Sequence, residues 1–373
     1  MGERGAGAGV LRVHPGRMNP SDCRTGWGVS GGRCTAWMPG GLDAGPMNVL
    51  VTGATGLIGN AIAHRLVKQG AAVRALVRDL ARASKLLPPS VRLIQGDVTS
   101  PGTLPAAMQD VELVFHAAGM PEQWHRDDSI FDRVNREGSV NVLSAAHAAK
   151  VRRVVYTSTM DVFAAPRGGE LTEAHIDPHP KPTVYERSKQ EAERAVEAIR
   201  QQGLDVVFVN PSAVYGPSPV HVGLNSFFIQ LLNKKAPLLP PGGMSVVHVD
   251  GCTDVHLAAA ERGANGERYL VSDQYVSNAD LALAIHGAAG AGKPPAVAPV
   301  FLMEALARVS APLARVFPFT PLVAPGQLSF MRWEARVNAA KAQRELAFRP
   351  TPLADGVART VAFLREQGLV PRA

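Results

Sequence analysis

Cysteine, charge and long apolar runs are all scarce in this chain, and each scarcity excludes a class of protein. Only three of the 373 residues are cysteine, Cys23, Cys34 and Cys252, and no two stand at C-x-x-C spacing. An odd, sparse set supports neither a disulfide framework nor a structural zinc site, and no metal is expected; it suits a reducing, cytoplasmic setting. Charged residues make up 19% of the chain, and its formal charge of +7 is scattered rather than clustered. With no zinc-finger, RNA-binding or helix-turn-helix pattern beside it, that charge reads as solvated surface, and nucleic acid is not expected as a partner. No uninterrupted apolar run reaches the roughly 18 residues of a membrane span. No internal repeat is present.

Residues 1–46 differ from the rest. They hold 12 of the 36 glycines, show almost no apolar periodicity and contain no apolar stretch of the kind a secretory signal needs. The strand-like "NVLVTG" follows Met47 at once. The stretch is therefore read as a disordered leader, or as a start assigned upstream of a natural one at Met47.

Beyond Met47 strand and helix patterns alternate. Apolar runs predict strands near 48–53, 72–77, 91–95, 111–116, 152–157 and 205–210, with helices near 58–69, 103–108, 128–149 and 183–202. Alternating βα units imply an α/β fold whose parallel sheet is covered on both faces, and right-handed crossovers make it doubly wound. Ligands then bind at the carboxyl ends of the strands. Residues 47–210 are thus expected to form a Rossmann-type domain. Past residue 211 proline and glycine interrupt the rhythm. Strands at 245–249 and 267–271 and helices near 222–234, 252–262, 278–288, 335–346 and 353–367 suggest a smaller, mainly substrate-binding lobe over 211–373, with elements returning to the first domain. The apolar segment 298–320, which carries Glu304, Arg308 and Arg315, reads as a core-facing helix pair broken at Pro312, or else as a helix lying at a membrane surface.

The stretch "VTGATGLIG" places Gly53, Gly56 and Gly59 directly after the first strand. The first glycine permits a tight turn, the second lets backbone approach a pyrophosphate, and the third lets the following helix pack closely. That helix, whose pattern begins at Ile58, offers free N–H groups and a positive dipole end to phosphate, with Thr55 and Leu57 in the same loop. At the end of the second strand a carboxylate would favour NAD. Arg78 stands there instead and, with Lys85 nearby, favours the 2′-phosphate of NADP(H). If the strand runs one residue longer, Asp79 takes the ribose and NAD(H) is preferred. Asp97, followed by Val98, is placed either to accept from the adenine amino group or simply to make a turn. Ala117, Ala118 and Gly119 are small enough for a cofactor to lie against backbone.

Three hydroxyls, Thr157, Ser158 and Thr159, end the fifth strand, and "YERSK" follows. Tyr185 and Lys189 stand i, i+4, on one face of a helix. A lysine ammonium one turn away favours the phenolate and is expected to draw the tyrosine pKa down toward working pH. A hydroxyl from the neighbouring strand can then hold the substrate oxygen.

In that order the motifs resemble those of an extended short-chain dehydrogenase/reductase. "VTGATGLIG", "GDVT", "FHAAG", "VNREGSVNVL", "VVYTST", "YERSK", "VNPSAVYGPS", "VVHVD", "ERYLV" and "ELAFRPTPLADGV" carry the likeness over most of 47–373. The branch it resembles holds dihydroflavonol-4-reductase-like enzymes, 3β-hydroxysteroid dehydrogenases and hopanoid-associated sugar epimerase-like proteins. The resemblance implies that Tyr185 is the general acid/base and Lys189 its partner and ribose anchor. Thr159 matches the catalytic Ser/Thr, with Ser158 as the adjacent candidate, and Pro211 and Ser212 lie near the nicotinamide. Arg78 and Lys85 match the 2′-phosphate contacts of the dihydroflavonol reductases, whereas steroid dehydrogenases of the branch usually carry an acidic residue at that place. The family often forms homodimers through helices like 128–149 and 183–202.

The expected function is NAD(P)-dependent interconversion of a ketone and a secondary alcohol on an apolar or mixed small molecule. The alternatives are a nucleotide-sugar epimerase or dehydratase that keeps its cofactor bound, and a non-catalytic NADP-sensing protein.

Overall fold

The structure, a computed structural model, describes residues 46–121, 124–317, 321 and 333–371. The leader expected over 1–46 therefore falls, Pro46 apart, outside the described residues, as do 318–320 of the segment 298–320. The chain opens with β1 (Asn48–Thr52), an apolar strand buried along almost its whole length. Burial on both faces marks an interior strand of a parallel sheet. β2 (Ala72–Val77), β3 (Arg92–Gln95), β4 (Leu113–His116), β5 (Arg153–Thr157), β7 (Val206–Pro211) and β10 (Arg268–Val271) join it. β6 (Glu170–Leu171) lies outside that sheet. The seven strands run in the order β10-β7-β5-β4-β1-β2-β3, and every pairing is parallel.

The chain builds outward from β1 to β3 and then returns to β4 on the other side of β1. That reversal opens a crevice at the carboxyl ends of β1 and β4, where ligands of such sheets bind. One side of the sheet packs Leu50, Val114, Val154 and Phe208 against Val142 and Leu143 of Gly138–Ala148 and Val196 of the helix Val184–Arg200. Across the other side the helix Leu57–Lys68 is tied to Val249–Arg262 by Arg65 Nη1 and Asp254 Oδ1, 2.6 Å apart.

β8 (Ala213–Tyr215), β9 (Gly243–His248) and β11 (Gln274–Ser277) form a second, three-stranded sheet. Tyr215, Phe228, Leu231, Val246, Leu281, Ile285 and Val361 make a separate core around it. β10 belongs to the main sheet although it lies late in the chain.

Several features differ from the sequence expectation. The helix expected over 335–346 begins with a short strand, β12 (Arg336–Val337), paired with β6, and only Ala340–Leu346 is helical. Val300–Val316 is one helix that continues through Pro312 rather than a broken pair. Its Met303, Ala307, Ser310 and Ala314 face inward at helical spacing, while Phe301, Val309 and Val316 are exposed. Its end is held by Arg315, 2.9 Å from Asp128, and by Arg126, which donates to the Phe317 carbonyl at 2.7 Å. The helix expected over 128–149 contains a π-helical stretch, Asp132–Glu137, between Ser129–Phe131 and Gly138–Ala148. Among the described residues no helix is long and apolar enough to cross a membrane.

Candidate active site

The cradle at the β1–β4 crevice is built by absent side chains. Gly53 has φ +70°, and a Cβ there would lie 2.5 Å from the Ala117 carbonyl carbon and oxygen. Only glycine meets both demands. A Cβ on Gly59 would stand 2.3 Å from the Gly53 carbonyl oxygen, so the helix presses directly on the loop. Gly56 is different: its Cβ would meet only the Gly53 oxygen, at 3.2 Å, which leaves that side of the loop open. The helix Leu57–Lys68 has no side-chain cap and no acidic residue in its first turn. Its first amides and positive dipole end thus face the crevice uncompensated, which suits a pyrophosphate. Leu57 is buried, with Thr55 and Ile58 partly exposed beside it.

β2 stops at Val77. Arg78 is the first residue beyond it and is exposed, as is Lys85. Among the described residues neither has an ion-pair partner. Asp79 is the N-cap of a helix absent from the sequence expectation, Leu80–Leu86, and its carboxylate accepts from the Arg82 amide at 2.9 Å. Asp97 Oδ1 accepts from the amide and hydroxyl of Thr99, both at 2.9 Å, so one carboxylate oxygen is used in a local turn. Val98 is buried, and its carbonyl accepts from Asn141 Nδ2 at 3.0 Å.

The chemistry-bearing groups meet where β5 ends. A capping box starts the helix Val184–Arg200: Thr183 Oγ1 accepts from the Glu186 amide, and the Glu186 carboxylate accepts from the Thr183 amide, each at 3.1 Å. Tyr185 lies in the first turn, partly exposed, with Phe131 edge-on at 6.3 Å between ring centres. Lys189, one turn on, is buried; its Nζ donates to the Thr157 carbonyl at 3.1 Å and lies 5.3 Å from the centre of the Tyr156 ring. Burial pushes the lysine pKa down to about 8, against the pull of Glu193 and Asp161.

The expected fall in the Tyr185 pKa is reversed. Burial, then the Asp161 charge, push it well above the usual tyrosine range, and only a hydrogen bond from Thr159 opposes them. The Lys189 ammonium is directed at the Thr157 carbonyl and does not cancel that rise.

The three hydroxyls after β5 diverge. Thr157 Oγ1 is 2.9 Å from His256 Nε2, and His256 Nδ1 is 2.8 Å from the Cys252 carbonyl. The carbonyl requires a proton on Nδ1, so Nε2 accepts from threonine. Ser158 donates to Glu193 Oε2, which also accepts from Asn210 Nδ2 at 3.1 Å; Glu193 Oε1 accepts from Arg268 at 2.6 Å. The Ser158 hydroxyl is therefore committed inward. Thr159 is the hydroxyl of the three that acts on Tyr185, opposing the rise of its pKa.

Pro211 ends β7, and Ser212 is buried with its amide donating to the Val271 carbonyl at 2.9 Å. Three residues not singled out from the sequence join the site. Asn135, in the π-helical stretch, accepts from the Met120 amide at 2.7 Å and donates to Ser188 Oγ at 2.9 Å, which bridges the Gly119 loop to the Tyr185 helix. Glu193 anchors Ser158. Asp161, two residues after Thr159, accepts from it at 3.0 Å. An acidic residue inside the apolar "TMDVF" was the available signal for the last.

A glycine cradle at the switch point of a doubly wound parallel sheet, with tyrosine, lysine and threonine at the next strand end, defines a dinucleotide-binding enzyme of the extended short-chain dehydrogenase/reductase type. The model of the NAD dependent epimerase/dehydratase family matches residues 49–272, and the chain belongs to that family. Sterol demethylase protein B of Methylococcus capsulatus is 31% identical over 333 residues, covering 87% of this chain and all of that protein. A putative dihydroflavonol 4-reductase of Synechocystis is 29% identical, covering 86% of this chain and 95% of the other. Among solved structures, that of gox2253 superposes with a TM-score of 0.72 at 29% identity, covering 87% of this chain and 99% of that one.

Proposed function

We propose that this enzyme transfers hydride between NADP(H) and the carbinol carbon of an apolar or mixed small molecule, interconverting a ketone and a secondary alcohol. The observation that carries the reading is the convergence of Thr159, Tyr185 and Lys189 at the end of β5, beside the glycine cradle. Gly53, Gly56, Gly59 and the first amides of Leu57–Lys68 would hold the pyrophosphate. Ala117, Ala118 and Gly119 would border the nicotinamide side, with Pro211 and Ser212. The bound nicotinamide supplies the hydride. Tyr185 gives its proton to the forming alkoxide, and Thr159 donates a hydrogen bond to the same oxygen. Lys189 carries the positive charge that stabilises the phenolate left behind and orients the ribose.

Preference for NADP(H) is supported by Arg78, unpaired among the described residues at the end of β2, and by the use of Asp79 as a cap. An apolar substrate is supported by the relatives, whose names are those of a sterol enzyme and a dihydroflavonol reductase. The family's name favours a second reading, an epimerase or dehydratase that regenerates its cofactor in place. Fluorescence titration of the full chain with NADPH and NADH, followed by a panel of ketones, hydroxysteroids and sugar nucleotides, separates the two. Stoichiometric release of oxidised cofactor with a ketone supports the first; turnover of a sugar nucleotide without cofactor release overturns it.

A further inference from the structure

Thr159 has one hydroxyl hydrogen, and two groups compete for it. Its Oγ1 lies 3.0 Å from Asp161 Oδ2, which accepts it, and the reacting oxygen needs the same hydrogen. The Asp161 amide donates to the same Oγ1 at 3.3 Å, which occupies one of its two lone pairs. Asp161 is only 3% exposed, and among the described residues its Oδ1 has no hydrogen-bond partner. A buried carboxylate with an unpaired oxygen is costly, and a neutral acid at the same place costs far less.

Building on the assignment of Tyr185 and Thr159 to the reaction, we propose that Asp161 is a positioning residue that works in its protonated form, donating to Thr159 Oγ1 and so turning the threonine hydrogen toward the reacting oxygen. The count of bonds then closes. The two lone pairs of Thr159 accept from the Asp161 amide and the Asp161 carboxyl, and its single hydrogen is free for the substrate. Ionised Asp161 takes that hydrogen back, and the reacting oxygen loses a donor in both reaction directions.

The charged groups facing Asp161 come from two segments. Glu186, on the helix Val184–Arg200, disfavours the anion, and Lys189 on that helix favours it, as does the Thr159 hydrogen bond. Lys181, from the preceding loop, also favours it, but is itself paired with Asp177 at 2.8 Å. Burial is the largest influence and, with Glu186, brings the carboxyl up to about 7. Turnover is therefore set to decline as the pH rises through neutrality.

Two readouts test this on the full chain. Carboxyl infrared difference spectra are recorded from about pH 5 to about pH 9, a range that leaves ordinary carboxylates ionised. A protonated-carboxyl band that titrates near neutrality and is missing in Asp161→Asn is expected. If Asp161→Asn is too unstable to measure, Thr159→Ala serves, because loss of the hydrogen bond to the carboxylate moves the band's midpoint upward. A band untouched by either change overturns the proposal. The second readout is the pH profile of kcat/KM for ketone reduction with NADPH, which falls roughly tenfold per pH unit above the Asp161 ionisation in the wild type. Asp161→Asn, which cannot ionise, loses the fall that begins near 7 and keeps only the later one, from about 8, where Lys189 loses its charge; a variant whose fall still begins near 7 contradicts the proposal. Tyr185→Phe separates the two layers: full turnover in that variant removes the reading of the site, while the infrared band still decides the state of Asp161.

Discussion

Asp79 accepts the Arg82 amide at 2.9 Å and so closes the first turn of Leu80–Leu86 instead of reaching outward from β2. On sequence grounds two adjacent residues compete for the cofactor's ribose, and this bond engages one oxygen of Asp79. Under the proposed preference for NADP(H), Arg78 is the group that meets the 2′-phosphate. Arg78→Ala is expected to weaken NADPH binding about 10- to 100-fold, the range of a charge-assisted bond, and to leave NADH within about twofold. Equal losses for both cofactors, measured by fluorescence titration, would overturn the preference for NADP(H).

Ser158 and Thr159 should part company on substitution. Ser158 serves Glu193 in a buried network with Asn210 and Arg268. Ser158→Ala is expected to cost roughly 1–3 kcal/mol of stability by removing one of the two donors to a buried carboxylate oxygen, and to retain most turnover. Thr159→Ala should lower kcat by about 10²–10³, the usual loss for one donor to a reacting oxygen, with a smaller effect on stability. Urea denaturation and steady-state kinetics on both variants check this. The reverse pattern would assign Ser158 to the reaction.

His116 gives the stability a defined pH dependence. Ser139 Oγ donates to the Asn135 carbonyl at 2.5 Å, so it accepts from His116 Nε2 at 3.1 Å, and His116 Nδ1 accepts from Thr52 Oγ1 at 2.7 Å. The ring is buried and neutral, and burial, with the Lys189 charge, pushes its pKa down to about 3. An unfolded histidine titrates near 6.5, so below that pH the unfolded chain takes up a proton that the folded one refuses. Stability is then lost as the pH falls from about 6.5 toward about 3, by about 1.4 kcal/mol per pH unit for this one group. His116→Gln should remove that much of the slope, whatever its effect at neutral pH. Parallel slopes for wild type and variant in urea denaturation would show that His116 is not held neutral.

Much of this architecture was legible because its signals are local. The apolar run of β1 and the glycines after it need only their neighbours to be read, and the i, i+4 spacing of Tyr185 and Lys189 survives any tertiary detail. The groups that tune the site were not legible. Asp161 acquires its character from burial beside Glu186, and Asn135 is aimed by a π-helical stretch with no pattern of its own in "FDRVNREG". The direction of the Tyr185 shift failed for the same reason: i, i+4 spacing specifies a shared face, but not that the Lys189 ammonium turns to the Thr157 carbonyl while burial dominates the phenol. β12 went unseen because its two residues form a strand only by pairing with β6, more than a hundred and sixty positions earlier.

The central claim is that Tyr185 moves the proton at a site which otherwise only binds cofactor. The most direct test is Tyr185→Phe in the full chain, with NADPH affinity and ketone turnover measured on the same preparation. The account predicts an NADPH affinity within about twofold of wild type and a kcat lowered by about 10²–10⁴, the usual contribution of a positioned acid–base group. Turnover at the wild-type rate with the phenol gone would contradict it.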